Sequence, residues 1–315
     1  MERDAMPTVP EDLLAELRRL HQHDPGLLDS SLPKWGLTPL SGGRSNRVYR
    51  WDCSDGPACL KLYRTDKRDR SGSEALALSH LAKHGVDRVP QLLWHDDHEL
   101  LPASAMTLLP GAPLDADAHL GKPWTAMVEK QREMLNVPVG PFIETPRSES
   151  ADHYLHRITQ VWAPTLREAE PGPLTNDLEA VLATWEESGD ARALAAPASR
   201  VFSHGDSNLL NWLWEEQSGT IGVVDFEFAG YSDLAYEAAE LVEHISMRHI
   251  DDDTLRALVM DLGVDDDAHR ERFLAAQRTC ALRWLAVLWK QRGKRAEEFE
   301  VQRQRARYLQ QASFL

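Results

Sequence analysis

Residues 204–211 read HGDSNLLN and residues 225–230 read DFEFAG. Three oxygen-bearing side chains, Asp206, Asn211 and Asp225, therefore lie close together in the chain beside the apolar runs LLNWLW and IGVV. An aspartate after a glycine sits on a tight loop, where it can accept a proton or orient a hydroxyl nucleophile. Asn211 and Asp225 are hard oxygen donors of the kind magnesium takes while keeping several waters. The apolar runs predict a short hairpin that holds both loops. An Asx turn built by Asp206 or Asn211 is the purely structural alternative.

A second group lies upstream. RVYRWDC and ACLKLYR read as strands joined by SDGP, a turn signal. A four-residue loop at 54–57 pairs Cys53 with Ala58, Trp51 with Leu60 and Tyr49 with Leu62. Side chains alternate between faces, so Val48, Cys59 and Lys61 share the other face. There Lys61 can reach the phosphates of a nucleotide beneath the hairpin, or remain a solvated lysine. The preceding turn, SGGRSN, holds Gly42 and Gly43, which let backbone approach a ligand. SGSEALALSHLAKHG predicts a helix with a serine cap and a glycine stop. Glu74 near its start can pair with Lys61 and hold the ammonium in place, or simply complement the helix dipole.

VPQLLWHD and SAMTLL add two more strands, and PGAP at 110–113 ends the segment. From residue 114 onward the pattern is helical, interrupted by β structure at 201–228. The stretches 137–150 and 170–174 read as loops, and the N-terminal residues as a plain surface helix. The net charge is −15, which argues against a nucleic-acid partner, since phosphate binding needs basic patches. No apolar run approaches the roughly 20 residues that span a bilayer. Three cysteines, Cys53, Cys59 and Cys280, lack metal spacing and read as reduced core residues of a cytoplasmic protein. Nothing decides between monomer and homodimer.

The ordered set of glycine turn, Lys61, Glu74, connector, Asp206, Asn211 and Asp225 resembles the aminoglycoside phosphotransferase and choline kinase family. The most specific match is HGDSNLLN with VVDFEFAGYSDLAYEAAEL; LSGGRSNRVYRW, SEALALSHLAKHG and MTLLPGAPL match more loosely. The resemblance covers nearly all of residues 36–250. It implies an α+β, bilobal, protein-kinase-like fold: a small antiparallel β-sheet N-terminal lobe (1–108), a hinge (109–113) and a larger, mostly helical C-terminal lobe (114–315). By this likeness Asp206 is the catalytic base, and Asn211 and Asp225 hold magnesium on the phosphates of ATP. Lys61, positioned by Glu74, binds the α/β-phosphates. Gly42, Gly43, Ser45 and Asn46 form the nucleotide turn, Val48 and Cys59 contact adenine, and backbone from Thr107, Leu108 and Leu109 faces the adenine edge. Glu227 touches a second metal or supports the first from behind. His204 supports the loop, and Asp233 caps the helix LAYEAAELVEHI, which buries Leu234, Ala238, Leu241 and Ile245.

The implied reaction is phosphoryl transfer from ATP to a hydroxyl of a small molecule. Residues 225–267 carry thirteen acidic residues against two basic, a balance of −11, which would draw an amine-bearing acceptor; a solvated acidic face is the alternative. Glu237 and Glu240 are the candidate acceptor contacts. Choline would need an aromatic cage, for which Trp162, Trp185, Trp212, Trp214, Trp284 and Trp289 are the available rings. A neutral acceptor (sugar, macrolide, homoserine) and a non-catalytic nucleotide-binding regulator remain open. A protein kinase is disfavoured by HGD in place of HRD, DFE in place of DFG, and the lack of an APE-like segment.

Overall fold

The computed structural model describes residues 9, 11–23, 28–40, 46–53, 56–114 and 121–311. The chain divides into two compact units, Met1–Pro113 with Leu210–Ala229, and Leu114–Leu209 with Gly230–Leu315. The division differs from the linear one in two respects: residues 109–113 and residues 210–229 both group with the N-terminal unit. Among the described residues, no helix is long and apolar enough to cross a membrane.

The first unit begins with α1 (Glu11–His23) and α2 (Leu28–Ser31), followed by β1 (Leu37–Pro39), β2 (Arg47–Cys53), β3 (Gly56–Leu62), α3 (Arg70–Lys83), β4 (Leu92–Asp96) and β5 (Ala103–Thr107). The strands form one antiparallel sheet in the order β1-β2-β3-β5-β4. The β2–β3 pairing is two residues away from the expected one: Trp51 faces Ala58, Tyr49 faces Leu60, and pairing runs on to Cys53 and Gly56. Only positions 54 and 55 separate the strands, so the connection is shorter than the four residues SDGP suggested. A slip of two preserves the faces. Tyr49, Trp51, Ala58, Leu60 and Leu62 line one face, in a cluster with Leu13, Leu14, Leu17 and Leu20 of α1. The N-terminal helix is thus docked on the sheet, its leucines spaced on one stripe, rather than a plain surface helix. Leu17→Ala, at a fully buried site, is expected to cost about 2–5 kcal/mol in chemical denaturation, with m unchanged.

The opposite face presents Cys59 and Lys61. α3 is capped by Asp69, which accepts a 2.9 Å bond from the Gly72 amide, and not by a serine. The cap lies upstream of the serines, so Glu74 sits in the second turn. The glycine stop is present as Gly85, with φ +72°, in the left-handed region that suits a helix end. A smaller sheet, β6 (Ala112–Pro113), β8 (Trp212–Glu215) and β9 (Thr220–Val223), completes the unit. Its β8–β9 pair is the hairpin expected from LLNWLW and IGVV, with Trp212 opposite Val223.

The second unit is helical: α4 (Lys122–Leu135), α5 (Ala151–His156), a π-helical segment at Arg157–Trp162, α6 (Ala163–Arg167), α7 (Pro173–Ser188), α8 (Asp190–Ala195), α9 (Leu234–Glu243), α10 (Asp252–Asp261), α11 (Asp267–Gln291) and α12 (Ala296–Gln311). β7 (Val201–Ser203) and β10 (Gly230–Ser232) pair antiparallel. α11 supplies Leu282, Leu285, Leu288 and Trp289 to a core shared with Ile158, Trp162, Leu178, Leu182, Trp185 and Phe299. Trp162, Trp185 and Trp289 are therefore spent on this core, and Trp212 is buried in the first unit. α9 is buried all round from Ala235 to Glu243, whereas Leu234 and Ile245 are only half-buried. The single apolar stripe read from its sequence is thus incomplete, and its acids do not flank it in solvent.

Candidate active site

In the first unit a buried network gathers on the Lys61 face of the sheet. Lys61 Nζ donates to Glu74 Oε2 at 2.6 Å and to Asp225 Oδ1 at 2.6 Å. Glu74 is 1% exposed and has no spare oxygen. Its Oε2 also accepts from the Tyr63 hydroxyl at 2.6 Å, and its Oε1 from the Phe226 amide at 3.0 Å. Burial opposes the charge on Lys61, but Asp225 and Glu74 outweigh it and hold the ammonium well above its ordinary pKa. Lys61 is a fixed cation rather than a solvated strand lysine.

About a third of the Asp225 side chain is exposed. Its φ is +70°, a conformation that costs a non-glycine residue free energy and clusters at functional positions. Asn211 is buried, and its Nδ2 has no hydrogen-bond partner among the described residues. Its backbone oxygen accepts from the Val224 amide at 3.0 Å, which ties the two loops at the hairpin base. The donor chemistry fits magnesium: two hard oxygen side chains on rigid loops, one a carboxylate and one an amide with an unanchored nitrogen. No group of three His, Cys, Asp or Glu among the described residues is placed to hold a metal by itself. The site would therefore rely on Asp225, Asn211 and ligand oxygens.

Glu227 has a different environment. It is buried, with Oε1 accepting from Arg70 at 2.5 Å, Oε2 from the Asn46 amide, and Lys61 3.8 Å away. Both oxygens are taken by side chains of this unit. Asn46 in turn accepts from the Arg64 amide at 3.0 Å, so its side chain is committed to protein contacts. Val48 stands directly opposite Lys61. Cys59 has its thiol pushed up to about 12, chiefly by burial, which makes it an inert packing group. Thr107 pairs with Ala58, and its amide and hydroxyl hold Gln91 at 2.9 Å each. Leu108 and Leu109 follow, half-buried, past the end of β5. Gly42, Gly43 and Ser45 lie outside the described residues.

In the second unit the HGD loop turns at Gly205, whose φ of +91° favours glycine. Asp206 Oδ1 accepts from the Asn208 amide at 3.1 Å, so the Asx turn is real, yet it uses only one oxygen. The other accepts no hydrogen bond among the described residues. His204 is buried, with Nδ1 2.8 Å from the Asp206 carbonyl oxygen, a loop support as expected. Asp233 caps α9, accepting from the Tyr236 amide at 3.0 Å.

The residue that sequence reasoning missed is Arg147. It is 1% exposed and donates to the Gly205 carbonyl at 2.7 Å and to Glu237 at 2.6 Å, with Glu240 at 3.4 Å. Glu240 also accepts from the Ser207 hydroxyl. Burial disfavours its charge, but Arg147 foremost holds the Glu240 carboxyl below its usual range. The two candidate acceptor carboxylates are thus neutralised and brace the HGD loop from behind. The signal was present as Glu237 and Glu240 one helical turn apart within a largely apolar helix, a pair that needs a cation. What sequence does not carry is that the cation comes from the loop at 137–150.

His244, 4.9 Å from the Trp284 ring, is held below its ordinary pKa of 6.5 mainly by burial, with Glu240 and Asp206 pulling the other way. The unfolded chain then binds the proton more readily than the folded one, so stability is lost as pH falls below about 6.5. A melting series from pH 7.5 downward should show this decline, and His244→Gln should flatten it.

The profile of the phosphotransferase enzyme family matches residues 36–274. No curated protein matches the chain's sequence. Among solved structures, a choline kinase from Cryptosporidium parvum superposes with a TM-score of 0.61 at 13% identity, covering 95% of this chain and 94% of that one. A Plasmodium vivax ethanolamine kinase gives 0.59 at 13% identity, covering 97% and 90%. A thermostable mutant of the aminoglycoside phosphotransferase APH(4)-Ia, solved as a ternary complex with AMP-PNP and hygromycin B, gives 0.58 at 15% identity, covering 90% and 98%. At such identities the likeness shows a kinase-like fold, here an α+β chain with an antiparallel sheet and a helical unit.

Proposed function

Because the chain belongs to the phosphotransferase enzyme family, and so acts on a hydroxyl group of a small molecule, we propose that it transfers the γ-phosphoryl group of ATP and does so with magnesium. The observation that carries this reading is Lys61 locked between Glu74 and Asp225, the lysine–glutamate pair that kinases need in place for phosphoryl transfer. Lys61 holds the α/β-phosphates. Asp225 and Asn211 hold the metal, whose part is to neutralise charge on the phosphate oxygens. Glu227, with Arg70 and Asn46 on its oxygens, positions the metal loop without touching the ion.

Val48, Cys59 and the backbone of Thr107, Leu108 and Leu109 bind adenine, and Gly42, Gly43 and Ser45 cover the phosphates. Asp206 uses its free oxygen to accept the proton of the attacking hydroxyl, while its bonded oxygen keeps the side chain oriented. Positioning and charge neutralisation supply most of the rate. Residues 1–113 with 210–229 serve as the nucleotide unit, and residues 114–209 with 230–315 as the acceptor unit.

An amine-bearing acceptor has less support than the acidic count suggested. Of the thirteen acids between 225 and 267, Glu237, Glu240 and Glu243 are buried against Arg147, Arg248 and Arg305. Asp233, Asp251 and Asp266 are helix caps. ADP release with magnesium-ATP across aminoglycosides, aminosugars, choline and polyols is the test. At least one acceptor should stimulate release well above the rate in water. Nucleotide binding with no stimulated release by any hydroxyl compound would favour the regulator instead.

A further inference from the structure

We propose that the second unit contains an anion-binding site between the π-helical segment and the C-terminal half of α11. A cavity of about 180 Å³ is lined by Arg157, Val161, Trp162, Arg283, Ala286, Val287, Lys290 and Gln291. At roughly 30 Å³ per water, it has room for a carboxylate or a phosphate with its first waters. Arg283, Ala286, Val287 and Lys290 follow the spacing of one helix face.

The lining contains three cations and no carboxylate, in a chain with 50 acidic residues and a net charge of −15. Two of the three other arginines of α11 have acidic partners: Arg272 pairs with Asp233, and Arg278 with Asp190. Arg157 and Lys290 have no hydrogen-bond or ion-pair partner among the described residues. Arg283 stacks over the Tyr154 ring at 5.4 Å, and its buried Nε has no acceptor among the described residues. Trp162 is 1% exposed, and its Nε1 likewise has no partner among the described residues. Like charges gathered around a cavity repel, and buried donors left unmade are costly; an anion in the cavity relieves both. The local backbone is also unusual. Pro164, which lacks an amide and crowds the preceding turn, follows the π-helical segment, and such segments recur at functional sites.

The ligand is a small anion with two or more acceptor oxygens, a carboxylate or a phosphate. It is either free or an acidic group on the phosphoryl acceptor. The site itself does not depend on the kinase reading; only the second source does. Arg283 meets Tyr154, whose hydroxyl is 3.4 Å from Glu240, which takes the Ser207 hydroxyl beside Asp206. This chain of contacts joins the cavity to the HGD loop.

Calorimetry with inorganic phosphate at ionic strength fixed with sodium chloride tests the site. Wild type and Asp206→Asn should bind phosphate alike. Arg157→Gln/Lys290→Gln should bind at least tenfold more weakly while melting within a few degrees of wild type. Equal binding by the double variant and wild type, or no binding beyond the chloride control, would overturn the proposal. With a working acceptor, phosphate that raises its KM without lowering kcat assigns the anion to the acceptor, whereas phosphate that leaves KM unchanged marks a separate anion. A protein that binds phosphate through Arg157 and Lys290 yet phosphorylates nothing keeps the site and removes only the kinase reading.

Discussion

Asp206→Asn is expected to lower turnover about 10³-fold while leaving nucleotide affinity within about twofold. Asparagine keeps the oxygen that accepts from the Asn208 amide, so the turn persists. The contacts that brace the loop, from Arg147 to the Gly205 carbonyl and from His204 to the Asp206 carbonyl, involve backbone and are untouched. What changes is the other oxygen, which becomes an amide nitrogen unable to take a proton. Loss of rate without loss of fold separates a base from a structural turn. The check is ADP release with the best acceptor, alongside a melting curve that should match wild type. A variant that kept most of its turnover would remove Asp206 from the chemistry and leave it as an Asx turn.

Lys61→Met should be the most damaging change in the first unit, acting on both stability and activity. The ammonium is the counter-ion of a glutamate 1% exposed and lies 2.6 Å from each of Glu74 and Asp225. Breaking a buried pair by deleting one partner leaves an uncompensated charge and costs about 3–5 kcal/mol. Tyr63 and the Phe226 amide still donate to Glu74, which places the loss toward the lower end. kcat/KM should fall by at least about 100-fold, because the cation meant for the phosphates is gone. Glu74→Gln retains an acceptor for the Phe226 amide and should be milder in denaturant. The double variant should be more stable than the sum of the single losses, since removing both charges leaves neither buried alone. Additive losses would show that the two side chains do not depend on each other.

The parts legible in the sequence were those that local spacing controls. Lys61 and Cys59 were assigned to the right face even though the strand register was two residues off, because face depends only on parity. The β8–β9 hairpin and the Asp233 cap follow from apolar runs and cap chemistry within a few residues. Contacts between distant segments were not legible. The α1 leucines gave a helix without saying that it docks on the sheet. Asp69 took the cap that Ser71 or Ser73 could equally have filled. Glu237 and Glu240 read as an open acidic wall, because their partner Arg147 sits 90 residues away from Glu237. The basic cavity is subtler still: Arg157 and Lys290 are unremarkable in sequence and acquire meaning only when the π-helical segment faces α11.

The most direct measurement of the central claim needs no acceptor: calorimetric titration with AMP-PNP, with and without magnesium, for the wild-type protein and Asp225→Ala. Saturable binding that tightens at least tenfold with the metal in the wild type, and gains nothing from it in the variant, is the predicted result. Binding indifferent to magnesium, or an equal metal effect in both proteins, would contradict it.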